Sequence, residues 1–565
     1  MASRRGINRS RPVPKARDEA GRVPPDHSPP AQSSEAAPTP AADSLFDGQT
    51  ANAFPASLPW HYDQMSLFLD QTTPVTPAPT DFQPKPCSLS DRYLASFYRN
   101  FHPAHPFVLP EQFLLALTPA ASLHVLLPAM RWVGSLYISV PLGTRASLLD
   151  EAHSKLTSSS VSSNTTTPRD GFLVQAMMVL LVGLDGLCEL DKARRMLRDV
   201  GQLAVEIGLH SRAFATLHGQ GVPVLEESWR RTWWDLYVVD GMIAGLHRAS
   251  NFALNDIHTD VALPCEEWQY LSGVAIPPPR SFDDLDNSVF ADAHTDNNTL
   301  SSFAYRIQSA RTLGQLLRLP SHTHPDDPAL SKVEASLTSW RLHLPRSKHD
   351  AVSPDGGFDE VMFQAHMVHH ATSILLHHPY SRLGSLHARN VTSCAPDRPL
   401  VPAAAAAAAG ADTPFFNAHT RHVVAAAGEI SRLITHRAPL RSRTPFFTCV
   451  VVLASVIHLN QWAALFSSRY YAGPGGAGDG GGDDDESFLR EKVRLSIGAL
   501  AGMSEVWRTA AVALGQVRGV AREIYEAKRK RQETEADAAA VEAWSGVVED
   551  SFAADVPMTC PMMDP

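Results

Sequence analysis

The chain has 565 residues, 44% hydrophobic and 19% charged, with a formal net charge of −10. The apolar share supports a sizeable core and excludes a wholly disordered polymer, while the acidic balance excludes a histone-like or ribosomal-type polycation. Cys87, Cys188, Cys265, Cys394, Cys449 and Cys560 are scattered, with no C-x-x-C pair, so a disulfide scaffold is not expected and a reducing compartment is.

Residues 1–86 hold 15 of the 43 prolines and no periodic apolar pattern, which reads as a disordered arm. Seven basic residues face Asp18 and Glu19 within 1–22, and seven acids face Lys85 within 23–86. The arm is therefore basic first, then acidic and proline-rich. No apolar stretch follows the initial charges, so they are not a secretory signal. Two acid-flanked apolar clusters, at 45–46 and 65–69, suit docking into a partner or onto this protein's own core.

An all-α domain is expected over 87–532, a large multi-helix fold with long disordered loops, and a disordered tail over 533–565. Tyr93, Leu94, Phe97, Tyr98 and Phe101 mark an amphipathic helix that Pro103 and Pro106 stop. Residues 172–184 are apolar nearly all round, the mark of a buried helix. Asp191 suits an N-cap, Ala193 to Ile207 step by three and four, and Gly208 suits the stop. A helix over 226–246 carries Trp229, Trp233, Leu236, Tyr237, Asp240 and Ile243 along one side.

Further helices are expected near 300–319, 328–342, 359–378, 415–436, 446–466 and 489–528. The breakers between them are 157–167, 274–299, 395–414 and the glycine-rich, acidic 473–486. Residues 446–466 are long and apolar enough to span a bilayer. Thr448, Ser455, His458, Asn460 and Gln461 favour a buried core helix instead, and no membrane association is expected. The 489–528 stripe runs out just before Lys528, Arg529, Lys530 and Arg531. That run suits either simple capping at a helix C-terminus or nuclear import.

No nucleophile-elbow, zincin, P-loop or dinucleotide-binding motif occurs. Asp283, Asp284 and Asp286, with Asn255, Asp256 and Thr259, imitate the two metal boxes of a terpene synthase. The imitation fails because Leu263 stands where an acid is needed and the boxes are in reverse order. His366, His369 and His370 share a helical face, with His377 and His378 beyond, but no nearby Cys, Asp or Glu completes a zinc set. No catalytic, cofactor-binding or metal residue is therefore assigned. Asp240 on an apolar helix side needs a partner. Glu227–Arg231 and Arg231–Asp235 are both i, i+4 pairs, and arginines stand at 230, 231 and 248, so a structural ion-pair cluster is expected there.

Six segments in order resemble the regulatory, or middle homology, domain of fungal zinc-cluster transcription factors. They are Leu94 to Pro103 with His105-Pro106-Phe107, Ala204 to His210, Glu227 to Asp240, Asp260 to Pro264, Leu376 to Tyr380, and Thr444 to Phe447. The third is similar to the family's "E-x-x-R-R-x-W-W-x-x-Y-x-x-D" helix, with Trp229, Arg230, Arg231, Trp233, Trp234, Tyr237 and Asp240 as its core. The likeness covers about 90–530. An arginine usually follows the core aspartate; here Gly241 does.

The family's DNA-binding module needs two C-x2-C-x6-C runs, and this chain has neither. Arg4, Arg5, Arg9 and Arg11 resemble the basic linker that follows such a cluster, or else form an ordinary basic arm. The linker reading expects a cluster segment upstream, missing through truncation, splicing or loss. Zinc is expected only with that segment. The resemblance implies a nuclear transcription regulator of a biosynthetic (secondary-metabolite) or catabolic gene cluster, and no enzyme. Its implied partners are promoter DNA, through a missing cluster or a partner, the transcription machinery, and a homo- or heterodimer mate. A non-DNA-binding helical scaffold is the alternative.

Overall fold

The computed structural model describes residues 89–157, 168–247, 251–273, 276–287, 300–320, 324–352, 356–383, 391, 417–471 and 481–552. Seventeen α-helices and no strand lie among them, apart from two isolated bridges, Leu263 with Arg280 and Val352 with Phe358. The helices are α1 (Leu89–Asn100), α2 (Glu111–Leu117), α3 (Ala120–Leu136), α4 (Thr144–Thr157), α5 (Gly171–Gly186) and α6 (Leu190–Glu206). They continue as α7 (Arg212–His218), α8 (Pro223–His247), α9 (Glu267–Ser272), α10 (Phe282–Asn287), α11 (Ser302–Leu317) and α12 (Pro328–Leu342). The last are α13 (Glu360–His377), α14 (Ala418–Ile434), α15 (Phe446–Tyr471), α16 (Gly481–Ser504) and α17 (Arg508–Phe552). The expected loops at 157–167 and 395–414 fall almost wholly outside the described residues and the arm over 1–86 wholly so, whereas the described part of 274–299 includes α10.

Local chemistry explains the helix ends. The Asp170 carboxylate accepts from the Leu173 N–H at 2.9 Å and caps α5. α6 starts one residue before Asp191, with Glu189 at its N-cap, and Asp191 instead reaches Arg194 in the first turn. Gly208 has φ +81° and the Leu209 N–H returns to the Ala204 carbonyl at 2.9 Å, closing the α6 terminus with a left-handed residue. Ala193, Leu197, Val200, Leu203 and Ala204 are the buried face of α6.

Each helix covers its neighbours. α1 crosses α3 so closely that a Cβ on Gly134 would lie 2.0 Å from the Tyr93 carbonyl oxygen. α3 packs on α5, α5 on α6 and α8, α8 on α11, and α11 on α13. α14, α15, α16 and α17 continue the succession. α15 is apolar enough to cross a membrane but is mostly buried inside the protein. Several of its polar groups are matched there. The Ser431 hydroxyl lies 2.9 Å from His458 Nε2, and the Asn460 amide donates to the Leu383 carbonyl at 2.9 Å. Cys188 and Cys265 are free thiols, whereas Cys449 is disulfide-bonded, so spacing along the chain did not reveal the state of every sulfur.

The C-terminal region departs from expectation. The single helix expected over 489–528 is two helices, because the chain breaks at 505–507. α16 begins at Gly481, within the expected acidic loop, and α17 continues through 533 to Phe552. Lys528 on α17 reaches Glu486 on α16 at 2.6 Å, so the pair is an antiparallel hairpin. Trp507 makes the break. Its fully buried indole donates to the Arg443 carbonyl at 3.2 Å and packs edge-on against Tyr137. After it the buried stripe shifts to Ala510, Ala513, Val517, Val520 and Ile524, and Ala511 is exposed. The glutamate- and alanine-rich text past 532 favours helix, which explains the extension.

Candidate functional site

α8 brings together the residues that the sequence singled out. The Glu227 carboxylate accepts from Arg230 Nε and Arg231 Nε, both at 2.9 Å, and from the Cys265 N–H at 2.8 Å. Arg231 also donates to the Cys265 carbonyl at 3.0 Å, pairs with Glu267, and lies 4.0 Å over the Tyr270 ring. All its neighbours are acceptors or ring faces, which is how a fully buried guanidinium is tolerated. Asp260 accepts from the Arg212 N–H at 2.7 Å at the start of α7, and Ser301 donates to the Pro264 carbonyl at 2.6 Å.

The expected Arg231–Asp235 link does not form. Asp235 points to the opposite side, pairing with Arg306 on α11 and lying 3.2 Å from His105 Nδ1. Burial would raise the Asp235 carboxyl, but Arg306 and His105 outweigh it and hold it below its usual range. The other nitrogen of His105 lies 3.1 Å from the Thr444 hydroxyl. The His-Pro turn after α1 is thus a buried bridge between α8 and the approach to α15. Just before α15, Arg443 pairs with Glu360 and stacks between Phe358 and Phe363.

The aromatic members of the motif are core. Trp229 donates to the His218 carbonyl at 3.2 Å and Trp234 to the Ala262 carbonyl at 3.0 Å. Trp233 is fully buried without a hydrogen-bond partner for its indole N–H, so it contributes by packing. The Tyr237 hydroxyl lies 2.9 Å from the Asn255 amide.

Asp240 stands outside the ion-pair cluster expected around it; Arg248 lies outside the described residues. Its carboxylate accepts the Leu254 N–H at 2.9 Å and so anchors the short helical turn at Ala253–Asp256. Burial pushes it up to about 7, against the pull of backbone N–H donors at Leu254 and Ala253. A cavity of about 640 Å³ opens beside it, between α6 and this turn, lined by Leu197, Gly201, Val205 and Leu254 with Arg194 and Arg198. Gly241 fits under Phe252, whose ring a Cβ would meet at 2.8 Å.

Several residues of the terpene-synthase imitation are taken up in bonds within the fold. Asp284 accepts from the Ser281 N–H at 2.7 Å, Asp256 pairs with Arg318 at 2.5 Å, and the Thr259 hydroxyl donates to the His210 carbonyl at 2.8 Å. His366 and His369 lie against Trp340 as core side chains, and burial pushes them down to about 4 and about 3. The described free thiols do not fit a zinc cluster: Cys188 contacts Thr509, whereas Cys265 is buried beside Glu227, and burial pushes its thiol up.

The basic run lies within α17, well before its end at Phe552, which removes C-terminal capping as its explanation. Lys528 is tied to Glu486. Arg529 reaches Glu533 at 3.4 Å and Arg531 reaches Glu535 at 2.8 Å, both i, i+4 pairs. Arg4, Arg5, Arg9 and Arg11 lie outside the described residues.

A cluster that the sequence did not reveal joins three helices. His377 at the end of α13, His422 on α14 and Glu334 on α12 present ligand atoms all within 4.8 Å of one another.

The family model for the fungal-specific transcription factor domain matches residues 94–341. The chain is 46% identical over 477 residues to the C6 finger domain transcription factor iacK of Pestalotiopsis fici, covering 84% of this chain. It spans 66% of that protein, just under two thirds of its length. No solved structure matches the chain. The matched domain contains α8 with its buried motif, and the relative extends the likeness well beyond it. Residues 94–341 carry the fungal-specific transcription factor domain, and the likeness to a transcription factor runs well past them.

Proposed function

We propose that this chain is a transcription regulator of the zinc-cluster type, acting in the nucleus on a biosynthetic (secondary-metabolite) or catabolic gene cluster. The observation that carries this reading is the extended similarity to a C6 finger domain transcription factor. The helical domain is the regulatory part, and its buried charges serve to fold it. Promoter contact comes through a zinc-cluster segment outside this sequence or through a partner, and zinc as the cluster's cofactor comes with that segment. The transcription machinery and a second subunit, identical or different, are its protein partners. Lys528, Arg529, Lys530 and Arg531 are the proposed import signal, with the arginines at 4, 5, 9 and 11 as a rival signal or a post-cluster linker.

Chromatin immunoprecipitation of the tagged natural protein, with transcript profiling after overexpression, tests this. The expected result is enrichment at promoters of neighbouring genes whose transcripts change several-fold. A nuclear protein absent from chromatin, with unchanged transcripts, would make it a scaffold. In vitro, residues 1–565 alone should show only salt-sensitive, sequence-blind attraction to DNA, from the arm. Salt-resistant binding of one short duplex by this chain would overturn that expectation.

A further inference from the structure

The middle of α12, the end of α13 and the start of α14 converge on a group of nitrogen and oxygen donors. His422 Nε2 lies 3.4 Å from Glu334 Oε1. The His377 and His422 rings stack with centroids 4.4 Å apart, and His419 Nδ1 lies 3.0 Å from His377 Nδ1. Tetrahedral zinc with nitrogen and oxygen ligands separates its donor atoms by about 3.3 Å, from metal–ligand bonds of about 2.0–2.2 Å. The His422–Glu334 edge already has that length. The third ligand atom, on His377, lies within 4.8 Å of both, and closing the site requires the half-exposed His422 ring to turn out of its stack so that its in-plane lone pair converges with that of His377.

The backbone beneath these side chains is fixed. Leu330, Val333 and Leu337 of α12 pack with Leu376 of α13 in a separate apolar cluster, which sets Glu334 opposite His377. The Asn417 amide donates to the Tyr380 carbonyl at 2.9 Å, and the Arg382 N–H donates to the Thr420 hydroxyl at 3.0 Å. Those bonds hold the start of α14 against the end of α13. A site mounted on helices that are already positioned loses little freedom on binding.

We propose that His377, His422 and Glu334 form a zinc-binding site, separate from the family's cysteine cluster, with His419 steadying His377. Two imidazoles and one carboxylate are a borderline-soft set suited to Zn²⁺. His377 is buried, whereas His422 and Glu334 are about half exposed, so the fourth position faces solvent for water or an exogenous ligand. The ion would link α12 to α14, both of which already pack on α13. It needs no cysteine, which sets it apart from any metal the rest of the protein carries.

The test uses the full chain, stripped with a chelator and then titrated with zinc against a chromophoric competitor. We expect one zinc per chain and a rise in melting temperature. His422→Ala and Glu334→Gln should each weaken binding by at least about tenfold and lose the melting shift. His343→Ala, at a surface histidine just past the end of α12, should behave as the parent does. Both ligand variants change partly exposed side chains, and their melting without zinc reports whether they fold. Cobalt substitution should give visible d–d bands without thiolate charge-transfer absorption, and the bands should vanish in His422→Ala. Unchanged zinc affinity in His422→Ala and Glu334→Gln, or a thiolate signature in the cobalt protein, would overturn the proposal.

Discussion

Two clusters of charge in this protein share a composition and differ in surroundings. On α8, Glu227, Arg231 and Asp235 are fully enclosed, and each is met by a hydrogen-bonding group from a distant part of the chain. On α17, Arg529 and Arg531 pair with glutamates of the next turn, and both pairs face water. The first arrangement is costly to break, since a stranded buried charge cannot recover its hydration. The second is worth little to stability, since water screens it. Charge that builds the fold is therefore distinguishable from charge that stays solvated.

Asp235→Ala gives the largest expected effect. It strands Arg306 in the core and should cost about 3–5 kcal/mol in denaturant unfolding. A loss under about 1 kcal/mol would erase the contrast between the clusters. Trp233→Ala comes close behind, also about 3–5 kcal/mol, because a fully buried indole leaves a large cavity. Unchanged melting would show that packing around α8 is not what holds the charges in place.

Asp240 provides a smaller, pH-dependent test on the same helix. Its folded pKa, about 7, lies above the ordinary 3.8. The carboxyl therefore favours folding fully below about 4 and loses that contribution as pH rises through 7. Asp240→Asn does not ionise, so the stability difference from the parent should shift by on the order of a few kcal/mol between pH 4 and pH 8. Parallel stability curves would mean that water reaches this carboxyl as freely as it reaches α17. The smallest effect is expected from Arg529→Ala with Arg531→Ala, within about 1 kcal/mol. In a fluorescent fusion, alanine at Lys528, Arg529, Lys530 and Arg531 together should empty the nucleus. A fusion that stays nuclear, yet leaves the nucleus when residues 1–22 are removed, moves the signal to the arm.

The legible parts of this fold are those whose information is local. α6 could be read because Ala193 to Ile207 repeat one face, and Gly208 marks its end. The burial of α8 could be read from its tryptophans. Asp235 and Asp240 could not be told apart, because their partners are Arg306 on α11 and the Leu254 N–H. The α16–α17 hairpin was hidden for a related reason. Steps of three and four run unbroken across Trp507, and only its seat against Tyr137 and the Arg443 carbonyl breaks the helix. His377, His422 and Glu334 come from three helices, so no window of sequence contains them.

The bridge made by His105 bears on how the protein is born. Its two hydrogen-bonding partners, Asp235 and Thr444, follow it by 130 and 339 positions. At about 5–20 residues per second, a ribosome needs tens of seconds to travel from the first of these three groups to the last. During that interval the segment at 94–341, though it matches a family domain on its own, lacks α15 and the other helices that enclose its core. A fragment cut at that boundary would keep the same unfinished surface permanently. The matched domain is thus smaller than the unit of folding, and the nascent chain exposes that surface until its last third emerges.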